Sequence, residues 1–110
     1  MKILNPNMFN IRYSNEAEID LDTMIADIAK ESISNALAYL DRYESKIELL
    51  KSNPYMGVAC QNKKINRDCR VLVFESHIII YRVDDNSNEI VVSRLYHSRE
   101  KYQQKFENSQ

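Results

Sequence analysis

A single glycine and two prolines in 110 residues argue against a long disordered linker or a repeat array. No low-complexity run is present. Two cysteines, Cys60 and Cys69, stand nine residues apart. A structural zinc site needs four ligands at tight spacing, and no such cluster exists, so no metal and no cofactor are expected. The expectation for the pair is two free, partly buried thiols in a reducing cytosol. No apolar run approaches the roughly 18 residues that cross a bilayer, and the opening MKILNPNMF lacks a signal-type apolar stretch. A soluble, cytoplasmic protein with no membrane contact is the expectation.

What is present suits one globular domain over residues 1–110, with its core over about 9–101 and a tail over 103–110. Hydrophobic residues make up 44% and charged residues 28%, and a chain this long buries roughly two-thirds of its surface without staples. Net charge is −1, but unevenly spread. Residues 1–54 hold six basic and nine acidic side chains, and residues 55–110 hold nine basic and seven acidic. An anion-binding surface therefore belongs to the second half. The sequence pI near 6.1 speaks against strong non-specific binding of nucleic acid.

Residues 1–7 read as a lead-in ending in the turn signal Asn5-Pro6-Asn7. Phe9, Ile11 and Tyr13 alternate with polar residues, the period of a half-buried strand. Ser14 is placed to cap a helix, with Glu16 and Glu18 in its first turn. Leu21, Met24, Ile25 and Ile28 form one apolar stripe. Ser32 or Ser34 caps a second helix, striped by Ile33, Ala36, Leu37, Leu40, Tyr43, Ile47 and Leu50. The short join predicts an antiparallel helical hairpin, ended by Asn53-Pro54. Gly57 is expected as a flexible turn position. Residues 58–60 read as a brief strand and 61–66 as a polar loop. CRVLVFE over residues 69–75 and HIIIYRV over 77–83 are strands, joined at Ser76-His77, with His77 expected in the turn. DDNSN over residues 84–88 is a strong turn cluster, and a last strand runs over 89–96. A short helix is expected over 100–107. Helices and strands kept apart in this order give an α+β, two-layer domain: N-terminal strand, helical hairpin, then an antiparallel meander of three to four strands. One sheet face packs on the hairpin and the other is expected to be partly open.

The final strand runs into IVVSRLYHSREKY, a cluster able to touch phosphate. Arginine in a β-branched run must reach a partner, water or an anion. Arg82 and Arg94 can grip phosphate through paired donors, and His97 can serve as acid or base near neutral pH. Lys63, Lys64, Arg67, Arg70 and Arg99 add positive field, and Tyr96 or Tyr102 can stack on a base. The plainer alternative is a surface histidine, arginines tied to carboxylates such as Glu75, Asp84 or Glu89, and Tyr13, Tyr39, Tyr43 and Tyr81 as core residues with a polar tip.

With these motifs in order, the chain resembles the RelE/ParE superfamily of bacterial toxins from type II toxin–antitoxin pairs. The resemblance rests on Tyr13-Ser14 with Ala17 and Leu21, then Ala36 and Leu40, then Leu50, Asn53-Pro54 and Gly57. Arg70 and Leu72, Ile80-Tyr81-Arg82, Ile90 and the run from Arg94 to Arg99 complete it. It implies a RelE-like fold with the first strand beside the last, and growth inhibition relieved by a cognate antitoxin, as in plasmid stabilisation. Two routes to harm are implied. ParE-like members poison DNA gyrase. RelE-like members act on the ribosome as metal-independent endoribonucleases (mRNA interferases), a role that His97, Arg94 and Arg82 would carry. The RLYHSRE ending and the modest charge lean toward the gyrase poison, and enzyme status stays open. A non-toxic antitoxin-binding module is a further alternative, and a homodimer or a toxin–antitoxin hetero-oligomer is compatible with each.

Overall fold

A computed structural model describes residues 8–108; the lead-in expected over residues 1–7 and the last two residues of the tail lie outside them. The elements run β1 (Asn10–Tyr13), α1 (Asn15–Glu31), α2 (Ile33–Ser52), β2 (Val58–Ala59), a one-turn 3-10 helix (Cys60–Lys63), β3 (Arg70–Phe74), β4 (His77–Asp84), β5 (Glu89–His97) and α3 (Tyr102–Glu107). The five strands form one sheet in the order β1-β5-β4-β3-β2. β2 to β5 are the expected antiparallel meander. β1 lies parallel to β5, pairing Ile11 with Ile90 and Tyr13 with Val92, so the mixed sheet sets the first strand beside the last.

Local chemistry explains the helical hairpin. The Ser14 hydroxyl accepts the Ala17 amide at 3.0 Å and donates to the Ser93 carbonyl at 2.8 Å. It therefore caps α1 and ties it to β5 at once. Ser32 alone joins the helices: its amide donates to the Ile28 carbonyl, and its hydroxyl accepts the Asn35 amide at 3.1 Å. On α2 the buried positions are Ala36, Tyr39, Tyr43, Ile47 and Leu50. Leu37 stands one residue off that row and Ile33 precedes it. Both were expected in the stripe, yet they are 60% and 70% exposed.

The sheet has an apolar cluster on each face. Against the hairpin lie Leu72, Phe74, Ile79, Tyr81, Ile90, Val92 and Leu95. The other face, expected to be partly open, is partly covered: Val71, Ile78, Ile80 and Tyr96 pack with Cys60, Ile65, Cys69 and Phe106, with Tyr102 at the margin. The 3-10 segment and α3 supply that cover.

Three further expectations are corrected. Cys60 and Cys69 are not free thiols but a disulfide. The Cys60 amide donates to the Cys69 carbonyl at 2.9 Å, and this β2–β3 register brings their Cα atoms to 5.2 Å, within disulfide reach. His77 is no turn residue; it begins β4 opposite Phe74, and the turn is Glu75-Ser76, with Glu75 taking the positive φ of 51°. Gly57 is needed for space rather than flexibility. Its φ is not positive, but a Cβ there would sit 2.8 Å from Tyr81 Oη and 2.9 Å from the Val71 carbonyl oxygen.

One irregularity aims the last strand. Ile80 faces Arg94, but Tyr81 faces Val92, so Ser93 is the extra residue of a bulge. Without it, Arg94 would point to the hairpin side with Val92. With it, Arg94 and Tyr96 share the outer face with Ile78 and Ile80.

Candidate target-binding site

Arg94 does not stand free. Its Nε donates to Asp20 Oδ2 at 2.8 Å and its Nη2 to Oδ1 at 3.2 Å, a two-pronged grip. The guanidinium also lies 4.9 Å from the Tyr96 ring centre. Asp20 accepts the Leu95 amide at 2.9 Å as well. β1 pairs with β5 only as far as Val92, so Asp20 satisfies the strand edge that β1 leaves uncovered. The hydrogen bond to Asp20 pushes the Arg94 pKa further up.

Arg82 is exposed and lies beside Val91, on the same outer face as Arg94. Among the described residues its side chain has no hydrogen bond or ion pair. His97 is on the other face, paired with His77 at the end of β4. Five residues separate the rungs of Arg82 and His77, about 16 Å at about 3.3 Å per residue. The fold thus gathers Arg82 and Arg94 but not His97.

His97 belongs instead to a cleft of about 610 Å³ between the hairpin and the ends of β4 and β5. There the His77 and His97 rings meet edge to face at 5.1 Å. Tyr39 Oη lies 2.5 Å from His77 Nδ1. His97 Nδ1 accepts the Arg99 amide at 3.0 Å and Arg99 Nε at 3.3 Å, which leaves the neutral ring's proton on Nε2. Arg42 grips Glu75 through Nε at 2.8 Å and Nη2 at 3.1 Å. Glu100 accepts the His97 amide at 3.1 Å and binds Lys105 Nζ at 2.6 Å. Asp20, Asp27, Glu31, Glu75 and Glu100 line this cleft with Arg42 and Arg99, and four of those carboxylates are held in ion pairs, by Arg94, Lys30, Arg42 and Lys105. Tyr39, Arg42 and Asp20 come from the hairpin and were absent from the sequence-based site. Only the pairing of β4 with β5 and the packing of α2 on it reveal them.

Burial, and then the neighbouring His97, push the His77 pKa below its usual 6.5. Burial, and then Glu75, push the Tyr39 hydroxyl up to about 12. Folded His77 resists a proton that the unfolded chain accepts near 6.5, so the unfolded state binds more protons below that pH. Its contribution to stability is complete above 6.5 and is lost as pH falls through the lowered value. Glu75 is lowered from 4.5 by its hydrogen bond to Arg42, and Glu100 by its bond to Lys105. Their contributions fade only at still lower pH. Urea midpoints should therefore drop more between about pH 7.5 and about pH 5.5 in the natural chain than in His77→Gln. Equal drops would show that His77 does not set this slope.

The other cations expected in a site are mostly engaged in structure. Arg67 donates to the Phe106 carbonyl at 3.0 Å and stacks on the Phe106 ring at 4.0 Å. Arg70 donates to the Tyr55 and Gly57 carbonyls at 3.2 and 2.8 Å and stacks on Tyr55 at 4.9 Å. Lys63 is half-buried and Lys64 exposed, the latter with a φ of 61°. Tyr96 is 4% exposed and its hydroxyl has no hydrogen-bond partner among the described residues, so it offers no face for a base. Tyr102 is half-buried against the outer cluster. Among the described residues no three His, Cys, Asp or Glu side chains stand close enough to hold a metal ion, and no helix is long and apolar enough to cross a membrane.

Comparison with known proteins agrees with this architecture. The fold is similar to a chain of the chromosomal ParDE toxin–antitoxin system from P. aeruginosa, with a TM-score of 0.63 and 18% identity over 83% of this chain and 97% of that one. It is also similar to a chain of the RelBE2 toxin–antitoxin complex from Mycobacterium tuberculosis, with a TM-score of 0.55 and 18% identity over 82% and 98%. At that identity the likeness shows the fold alone. No curated protein matches the sequence. Residues 11–102 match the family described as ParE toxin of type II toxin-antitoxin system, parDE, and by that match the chain belongs to the ParE toxin family.

Proposed function

We propose that this toxin halts bacterial growth by binding a protein target, DNA gyrase in the cytoplasm, and that it has no catalysis of its own. The observation that carries the reading is the Arg94–Asp20 pair. Cleaving RNA at a 2′-hydroxyl needs an acid and a base with free cations beside the phosphate. Here one candidate cation is neutralised by Asp20, Arg82 lies rungs away from His97, and Arg42, the other arginine beside Arg99 in the cleft holding His97, is spent on Glu75, which leaves little free positive charge for a phosphate. An antitoxin with apolar and acidic side chains would cover the second half of the chain, where Val58 and Val73 are exposed on the outer face that Val71 shares. A disordered segment that folds as it binds suits so extended a surface.

Expression of the chain alone should slow growth, and purified protein with gyrase should yield broken DNA in a supercoiling assay. Primer extension on a translated message should show no new cuts. Ribosome-dependent cuts that vanish in His97→Ala and Arg82→Ala would replace this reading with the mRNA endonuclease. Normal growth with abundant soluble protein would replace it with a non-toxic binding module.

A further inference from the structure

We infer that the Cys60–Cys69 disulfide is a redox-operated latch that sets whether α3 covers the outer face of the sheet. The bond closes residues 60–69, and this segment is what α3 docks on. The Asn66 amide donates to Glu107 Oε1 at 3.1 Å. Arg67 donates to the Phe106 carbonyl at 3.0 Å and lies over its ring. Ile65, fully buried between the cysteines, packs in the same cluster as Phe106. Beyond this segment, α3 is held by the Lys105–Glu100 ion pair and by Phe106, buried in one cluster with Val71, Ile78, Ile80 and Tyr96 of the sheet. Six residues make no stable helix alone, so α3 depends on these contacts.

The covered state also carries a flaw. Tyr96 packs in one cluster with Phe106, and its hydroxyl is buried without a partner among the described residues, which penalises the closed form. Lifting α3 returns that hydroxyl to water and exposes Ile78, Ile80 and Tyr96 beside Arg94 and Arg82. In a reducing compartment a disulfide is more often a transient sensing bond than a permanent staple.

The chemistry is thiol–disulfide exchange with a dithiol reductant. Cys60 and Cys69 are both buried, at 0% and 6% exposure, so exchange begins with a local opening of the segment, after which the reductant's thiolate attacks the Cys69 sulfur. The Cys60–Cys69 bond breaks, Cys69 is held as a mixed disulfide, and Cys60 leaves as a thiolate that takes a proton. The reductant's second thiolate then attacks its own sulfur in the mixed disulfide, and Cys69 leaves and is protonated. Two electrons pass to the protein and the reductant ends as its own disulfide. The segment over residues 60–69 loses its closure and α3 loses its dock.

Hydrogen exchange on the full chain, with and without dithiothreitol, tests this. With the bond intact, the amides of Ile65, Lys105 and Asn108, each donating to a carbonyl within its own turn, should be protected. On reduction all three should exchange roughly tenfold faster or more, while Ala36 in α2 stays unchanged. Arg67→Ala with the disulfide intact should free Lys105 and Asn108 but not Ile65. The double variant Cys60→Ser, Cys69→Ser should behave as reduced in either condition; if it does not fold, the reduced natural chain still gives the answer. Unchanged exchange at Lys105 and Asn108 after reduction would overturn the latch. So would failure of dithiothreitol to reduce the bond while Ala36 stays protected.

Discussion

Asp20→Ala should lower the stability of the fold by about 3 kcal/mol, read as a shift of the urea midpoint. A hydrogen bond to a charged group contributes about 1.5–3 kcal/mol, and Asp20 makes two to Arg94 and one to the Leu95 amide. Removing one partner of a buried ion pair costs about 3–5 kcal/mol because the other charge is stranded. Arg94 and Asp20 keep 26% and 16% of their side-chain exposure, so water recovers part of that. Asp20→Asn retains an acceptor for the Leu95 amide and should cost about half as much. In the Asp20→Ala background, Arg94→Leu should regain stability, since the stranded charge goes. A loss below about 1 kcal/mol for Asp20→Ala would mean the pair is no better than an exposed one, and would return Arg94 to the pool of free cations.

Gly57→Ala should cost roughly 3 kcal/mol, a large effect for one methyl group at a site without positive φ. Overpacking a tight site costs typically about 1–3 kcal/mol, and this site is closed partly by backbone. The new Cβ would lie 2.9 Å from the Val71 carbonyl oxygen as well as 2.8 Å from Tyr81 Oη. Rotating the ring away sacrifices the bonds that Tyr81 Oη gives to Pro54 at 2.7 Å and receives from the Gly57 amide at 2.9 Å. Tyr81→Phe alone should cost about 2 kcal/mol, from two backbone groups left unmet. The double variant should cost less than the sum, because the hydroxyl that collides is gone. It should remain worse than Tyr81→Phe, because the Val71 carbonyl and Tyr81 Cε1 still obstruct. Thermal or urea unfolding of the four proteins checks the cycle; strict additivity would show that Tyr81 is not what crowds the position.

Much of the architecture was legible because its causes are local. The Ser14 cap, the Asp84 turn and the β-branched runs declare themselves within a few residues. Asp84 Oδ1 accepts the Asn86 and Ser87 amides at 3.0 and 3.3 Å, as DDNSN suggested. The four tyrosines read as core residues with polar tips are that: Tyr13 and Tyr43 join their hydroxyls at 2.8 Å, and Tyr39 and Tyr81 have the partners already given. What failed depended on distant partners. Nothing near Arg94 in sequence points to Asp20, 74 positions earlier. Nothing in IVVSRLYH marks Ser93 as a bulge, yet that one residue decides which face Arg94 and Tyr96 occupy. His77 was misread because Ser76-His77 was the polar break between two runs; its ring is instead held by Tyr39 from α2. The disulfide escaped because spacing alone does not reveal that β2 and β3 pair across it.

The parallel union of β1 with β5 also bears on how this chain is born. A ribosome releases the N-terminus first, and β1 and α1 wait with no strand to lie against until residue 97 has emerged. Ser14 cannot reach Ser93, nor Asp20 reach Arg94, in any nascent fragment that stops short of the last strand. At about 5–20 residues per second the delay is several seconds at least. A product truncated before β5 therefore lacks its keystone, and the fold cannot close until that last strand has been made.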